Sequence, residues 1–434
     1  MTLFWRGGPG DSLTIRGARV VDRALGLDGA HDVTIEDGII TAIEPNAEAA
    51  RGLVLAPAFV DPHVHLRVPG REDEETIATG TAAAAAGGYC AILAMPNTDP
   101  VVDTAAVLGA LVEQARAEAA VPTGFMASIS KGLRGEELTE MAELARLGAA
   151  AFTDDGHPVS SAGLMQRALS YSGVTSRILA LHEEEPTLSR DGQMHEGAVS
   201  AELGLAGWPS VAESIMIERD CALAGYENGN GAYEQCSLHI MHISARESVA
   251  AVRAAQRRGI AVSAEVSPHH LCLTDDAVRT LDTNRKMNPP LRSEDDRQAL
   301  LEALRDGTIA CVATDHAPHA RHEKDAPFEE APFGVTGLET AFAALYTFLV
   351  EPGDLELDVV LERMSAGPAR VFGLPVPRIE EGARANLALL DLDATRRITE
   401  DGFRSRSSNS WLLGQTLKGA VVKTIADGRV VHAA

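Results

Sequence analysis

The sequence predicts an α/β protein: a (β/α)8 TIM-like barrel carrying a small β domain built from both chain ends. Two textures and the chain length predict it. Through the middle, short apolar runs alternate with helix-like segments, whereas both ends are strand-rich and show no helical period. At 434 residues the chain exceeds one ordinary core and suits a barrel with an appended domain.

The N-terminal texture occupies residues 12 to 55 as "LTIRGARVVD", "DVTIEDGIITAI" and "GLVLAP", with Asp37-Gly38 as a hairpin turn. The tail returns to it in "ANLALLDLD" and "AVVKTIADGRVV", with a second such turn at Asp427-Gly428. The expected division is therefore 1–56 and 372–434 for the β domain and 57–371 for the barrel. Eight apolar runs fill the middle: "APAFVDPHVH", "YCAILAMPNT", "TGFMASISKG", "AAFTDDG", "RILALHEEE", "SLHIMHIS", "IAVSAEVSPHH" and "IACVATDHAPH". Between them lie helix candidates such as "DTAAVLGALVEQARAEAA", "GEELTEMAELARLG" and "ARESVAAVRAAQRRG". Such alternation indicates a parallel sheet; a doubly wound open sheet satisfies the same pattern and is the structural rival. "TAAAAAGG" (81–88) reads as an Ala-rich helix ended by glycines, and "AGYENGNGAYEQ" (224–235) as an exposed loop.

Composition narrows the class. Hydrophobic residues make up 45% and charged residues 23%, as in a water-soluble globular protein. The balance of 38 basic and 62 acidic residues, net -24, repels phosphate backbones and argues against nucleic-acid binding. No apolar run is long enough for a bilayer, and "MTLFWRGGPGDS" has no signal-peptide pattern, so a cytoplasmic protein without a membrane partner is expected. The cysteines Cys90, Cys221, Cys236, Cys272 and Cys311 are odd in number, scattered, and form no C-x-x-C, which favours reduced thiols over disulfides or a cysteine zinc site. There is no G-x-x-x-x-G-K-[ST], G-x-S-x-G or H-E-x-x-H, and "GGPG" at 7–10 precedes any predicted strand.

Barrel enzymes act at the carboxyl ends of their strands. There the runs carry His63, His65 and Arg67; Asn97; Asp154 and Asp155; His182; His239 and His242; His269 and His270; and Asp315, His316 and His319. His63 and His65 are two apart and share a strand face. A pair of ordinary strand-end histidines explains H-x-H alone. With Asp155, His182, His242 and Asp315 at other strand ends, a metal site is the better reading, because imidazole and carboxylate are the natural ligands of Zn²⁺. Asp154 and Asp155 point opposite ways, so one of the two faces the metals. His239 faces away from His242 and is expected to pack; His269 and His270 follow Pro268 and read as structural. His157, His195 and His322 read as exposed loop histidines.

The motifs "DPHVHLRVPG", "AMPNTDP", "AFTDDG", "MNPPLR" and "ATDHAPHARHEKDAPFEEAPFGVTGLET" resemble the amidohydrolase superfamily, and within it the bacterial class I dihydroorotases, over nearly the whole chain. The resemblance implies one or two zinc ions held by His63, His65, Asp155, His182, His242 and Asp315, with Asp315 as general base and acid. It implies substrate contacts from His65, Arg67, Asn97, Asn288 and His319, with backbone help near Phe333 and Gly334. It implies a small-molecule substrate, carbamoyl aspartate or dihydroorotate, whose unreacting carboxylate Arg67 can clamp. It also implies a β-sandwich for the terminal pieces, and makes a homodimer or an aspartate transcarbamoylase partner compatible with the chain. Three departures stand out: His195 where Asn is usual, "LHEEE" for a more usual His-Cys-Glu-Asp, and Ala58 where Gly is common. Hydantoinases, allantoinases and dihydropyrimidinases bridge two metals with a carboxylated lysine; this chain has lysine only at 131, 286, 324, 418 and 423, which makes Asp155 the candidate bridge, with Asp154 as the alternative. The alternatives are such a cyclic amidase, or an inactive scaffold for a transcarbamoylase. "HARHEKDAPFEEAPFG" (319–334) is expected to be a long loop that closes over the site.

Overall fold

The computed structural model describes residues 3–46, 52–229 and 237–434. Strands come first: β1 (Leu13–Asp22), β2 (Leu27–Glu36), β3 (Ile39–Pro45) and β4 (Leu53–Pro57). The middle supplies β5 (Phe59–Val64), β6 (Tyr89–Ala94), β7 (Thr123–Phe125), β8 (Leu179–Leu181), β9 (Leu238–Ile240), β10 (Val262–Val266) and β11 (Cys311–Val312). The tail adds β12 (Leu387–Arg397), β13 (Thr416–Ala426) and β14 (Arg429–Ala433).

Both chain ends build one sheet, in the order β14-β13-β12-β4-β1-β2-β3. Its two ends meet. Ile39 bridges Arg384, the Ile40 N–H donates to the Ala383 carbonyl, and the Asp11 N–H donates to the Gly428 carbonyl. Each Asp-Gly turn has positive φ at both residues (51° and 80°; 44° and 73°), which hairpin turns of this kind require. The two turns also touch, since a Cβ on Gly38 would lie 2.9 Å from the Gly428 Cα. The expected sandwich is thus a single seven-stranded sheet curled over its own core. Period-two alternation divides its side chains. Val20, Leu55 and Leu387 enter the core inside the curl, while neighbouring Val21, Val54, Ala56 and Ala388 join the main core.

The middle of the chain forms two parallel sheets, β5-β6-β7 and β11-β10-β9-β8. Single parallel bridges join them: Ala127 to Phe152, Phe152 to Leu179, and Val64 to His316. β5 and β6 are buried at every position, as strands covered on both faces must be. Helices α1 (Ile77–Ala86), α2 (Ala105–Glu118), α3 (Met141–Leu147), α4 (Ala162–Thr175), α5 (Val211–Gly229), α6 (Arg246–Arg257) and α7 (Glu294–Asp306) cover them. α1 starts at a Thr76 capping box. It ends at Gly87, where a Cβ would sit 2.1 Å from the Leu338 carbonyl oxygen. α6 buries Ser248, Val249, Val252 and Ala255, a single helical stripe.

Two expectations need correcting. Residues 224 to 229 continue α5 instead of opening a loop, because Ala224 is buried and Glu227 accepts from Gln166 and Ser170 on α4; residues 230–235 of that stretch lie outside the described part. His195 is not a loop histidine: it lies on a two-residue strand, Met194–His195, half-buried, with Nδ1 3.3 Å from the Arg292 guanidinium. Cys90, Cys221, Cys272 and Cys311 are free thiols; Cys236 lies outside the described residues. Among the described residues no helix is long and apolar enough to cross a membrane.

Candidate active site

The strand ends open into a cavity of about 180 Å³. His65, Arg67, Asn97, Asp155, His182, His242, Asn288, Asp315, His319, Phe333 and Gly334 line it, together with Gly156 and Ala317. His63 lies beneath its floor, fully buried. Residues far apart in sequence thus meet because most of them lie at the ends of strands of one parallel set, with Asn288, Phe333 and Gly334 brought in by loops.

Asp155 is central. Its Oδ1 lies 3.7 Å from His63 Nε2 and 3.8 Å from both His182 Nδ1 and His242 Nε2, while its Oδ2 lies 3.5 Å from His65 Nε2. Asp315 Oδ1 lies 3.4 Å from His63 Nε2 and 3.2 Å from His65 Nε2. Two groupings able to hold an ion result, His63 with His65 and Asp315, and His63 with Asp155 and His242. The residues fit a metal. His63 Nε2 is buried without a hydrogen-bond partner. The donor spacings match the edge of a tetrahedron with ~2.1 Å bonds, which is ~3.4 Å.

Between the adjacent acids, only Asp155 meets the histidines. Asp154 turns away and accepts from the Ile129 and Ser130 N–H groups and the Ser130 hydroxyl. Burial pushes the Asp155 carboxyl up, but the charge of His63 and hydrogen bonding from His242 and His63 outweigh it and hold the group well below the usual carboxylate range. Asp315 is likewise lowered, burial being overcome by His63 and His65. Both are therefore carboxylates at neutral pH.

The remaining polar residues orient one another. Asn97 Oδ1 faces His65 Nδ1 at 3.0 Å, and its Nδ2 donates to Asp155 Oδ2 at 3.0 Å, which leaves His65 Nε2 turned toward the acids. His182 Nε2 lies 3.0 Å from Glu184 Oε2. Arg67 adopts a left-handed backbone (φ 59°) and points Nε at the Pro318 carbonyl and at Glu74 Oε2, both at 3.0 Å. Burial lowers the Arg67 pKa and pushes the Glu74 carboxyl up to about 8. His319 Nε2 donates to the Phe333 carbonyl at 2.8 Å, and burial with the Arg67 charge holds the ring down to about 2, so it is neutral. The Gly334 N–H donates to the Lys286 carbonyl, so the backbone at 333–334 is already engaged within the protein. Asn288 Oδ1, by contrast, is buried and without a partner.

The histidines set aside from the sequence separate cleanly. His239 is fully buried and packs between Ser263 and Glu265; His269 and His270 are buried, and His270 Nε2 donates to the Pro289 carbonyl. His157 and His322 are exposed. Four residues around the site were given no role from the sequence: Glu74, Glu184, Glu265 and Asn409. Glu184 showed only within the "LHEEE" departure, and Glu265 as a lone acid inside the apolar run "IAVSAEV".

Comparison with known proteins agrees with this architecture. The L-hydantoinase from Arthrobacter aurescens superposes with a TM-score of 0.84 at 24% identity, covering 97% of this chain and 96% of that one. The dihydropyrimidinase from Brevibacillus agri NCHU1002 gives 0.81 at 22% identity, covering 98% and 95%. These likenesses define the fold class, an α/β architecture with a sheet domain, here with histidines and aspartates gathered at its strand ends. The Dihydro-orotase-like family model matches residues 52–248. The dihydroorotase of Anaeromyxobacter dehalogenans (strain 2CP-C) is 45% identical over 432 residues, covering 97% of this chain and 98% of the relative. That of Geobacter metallireducens is 43% identical over 429 residues, covering 97% and 99%. The chain belongs to the dihydroorotase family.

Proposed function

We propose that this chain is a dihydroorotase, interconverting L-dihydroorotate and water with N-carbamoyl-L-aspartate in de novo pyrimidine biosynthesis. The observation that carries this reading is the 45% identity to a dihydroorotase over nearly the full length of both chains. Arg67 in the cavity lining supports it: dihydroorotate has an unreacting carboxylate, and hydantoin has none.

His63, His65, Asp155, His182, His242 and Asp315 would hold zinc, as one ion or two. Aspartate in place of a carboxylated lysine resembles the class I variant of the family. When bound, zinc lowers the pKa of water toward ~7 and polarises the amide carbonyl. Asp315, ionised at neutral pH, accepts the proton of the attacking water as the new C–O bond forms. It returns that proton to the ring nitrogen as the C–N bond breaks; cyclisation runs the same steps backward. Arg67 takes the substrate carboxylate, with neutral His319 and Asn97 beside it. The unpartnered Asn288 Oδ1 suits a substrate N–H. The backbone of Phe333 and Gly334 forms part of the surrounding wall.

The supporting scaffold is a closed (β/α)8 barrel at 57–371 with the sheet domain from 1–56 and 372–434. The bridges at Val64–His316 and on both sides of Phe152 support closure. We place the protein in the cytoplasm.

Metal-analysed protein assayed side by side on dihydroorotate and hydantoin tests the reading. Strong preference for dihydroorotate, lost on chelation and restored by zinc, is the expected result. Preference for hydantoin would make the chain a different cyclic amidase. Turnover of neither at full metal content would leave only a scaffold.

A further inference from the structure

We propose that Glu265 is a positioning residue of the metal centre. From β10, its carboxylate fixes His63 and His242 on two other strands, so that His63 presents Nε2 to the cation. The inference rests on the metal site proposed above.

Glu265 is 1% exposed. Its Oε1 lies 2.7 Å from His63 Nδ1 and accepts the backbone N–H of His242 at 3.3 Å. Its Oε2 lies 3.0 Å from His239 Nε2, and His239 Nδ1 is 2.8 Å from the Ser263 hydroxyl. One carboxylate therefore ties β5, β9 and β10 together directly beneath the cavity.

The chemistry of the pair decides the orientation of His63. An ionised carboxylate only accepts, so Nδ1 carries the proton and Nε2 keeps its lone pair. Nε2 is the atom left buried without a partner, between Asp155 and Asp315. An acid hydrogen-bonded to the far nitrogen of a ligand imidazole fixes tautomer and ring orientation and raises the basicity of the ligand. His242 is held differently, through its backbone in a positive-φ conformation (φ 29°), which sets where its ring emerges. Glu265 does not line the cavity and touches no substrate position. Its effect reaches the reaction only through the two histidines.

A purely structural role, balancing His239 inside the core, would leave metal affinity of the folded protein unchanged. The test is zinc affinity of the full-length protein, by competition with a chromophoric chelator, with folding checked by circular dichroism. Glu265→Gln and Glu265→Asp are expected to bind zinc about 10- to 100-fold more weakly than wild type. Ser263→Ala, which removes one of the two partners of His239 and leaves the His63–Glu265 pair intact, is expected to match wild type. Wild-type affinity in both folded Glu265 variants overturns the proposal, as does an equal loss in Ser263→Ala. Wild type that takes up no zinc overturns the metal site itself; tight wild-type binding with unaffected Glu265 variants overturns only this inference. Should both variants fail to fold, nitrogen-15 NMR of histidine-labelled, zinc-loaded wild type decides. A protonated Nδ1 on His63 supports the proposal, and zinc bound through Nδ1 overturns it.

Discussion

Arg67 shows how much of the site rests on single side chains. Its guanidinium lies in the cavity wall, the side chain 11% exposed, where desolvation disfavours its charge, and Glu74 is the acid that meets it. In the proposed function a substrate carboxylate would supply a second partner. Arg67→Ala is therefore expected to raise KM for dihydroorotate by about 10- to 100-fold, the worth of a charge-assisted hydrogen bond, with a smaller change in kcat. Steady-state kinetics check this, and an unchanged KM would contradict the clamp. At this scale the sequence was legible where chemistry and position coincide: the histidines and aspartates of the cavity stand at the ends of apolar runs, whereas Asn288, Phe333 and Gly334 do not. It was silent on their supports. Glu74 sits in the acid-rich "REDEE" and reads as solvated, yet is fully buried. Asn409 accepts the His319 N–H and donates to the Ala317 and Gly334 carbonyls from 90 residues further along the chain, a distance at which no local pattern survives.

Among the elements, the 319–334 segment departs most from expectation. It is pinned in place. Lys324 Nζ donates to the Thr283 and Pro332 carbonyls, and Lys286 Nζ to those of Glu329 and Ala331. Both ammonium groups are buried without a carboxylate partner, and burial lowers Lys324 from 10.5 to about 7, with Lys286 adding to the shift. Unfolded Lys324 keeps its proton to about 10.5, whereas folded Lys324 gives it up near 7. Between these values the unfolded state binds more protons, so this group's contribution to stability grows as pH rises. Denaturant unfolding of wild type and Lys324→Met at pH 7 and pH 9 measures it. The stability difference in favour of wild type is expected to widen at pH 9; an equal difference at both would contradict the assignment. The helix α5 carries the complementary lesson. Its Gly- and Asn-rich end reads as a loop, yet packing of Ala224 and Glu227 against neighbouring structure keeps residues 224–229 helical. Tertiary contacts override a local propensity worth about 1 kcal/mol per glycine.

Across the whole molecule, alternation of strand and helix was enough to predict a parallel α/β core, and the two Asp-Gly turns marked two hairpins of the terminal sheet. What the sequence could not show was that these turns meet, converting an expected pair of sheets into one curled sheet. A net charge of -24 sits around a cavity lined by Arg67, so under the proposed function selection of an acidic substrate would fall to that local group and to the metal, not to the surface field. The account as a whole depends on strand ends from distant parts of the chain sharing one cation. Anomalous diffraction at the zinc edge, from zinc-loaded crystals of protein shown to turn over dihydroorotate, tests this most directly. The predicted result is a peak within bonding distance of His63 Nε2 and Asp155. Active, zinc-loaded crystals with no peak among His63, His65, Asp155, His182, His242 and Asp315 would contradict it.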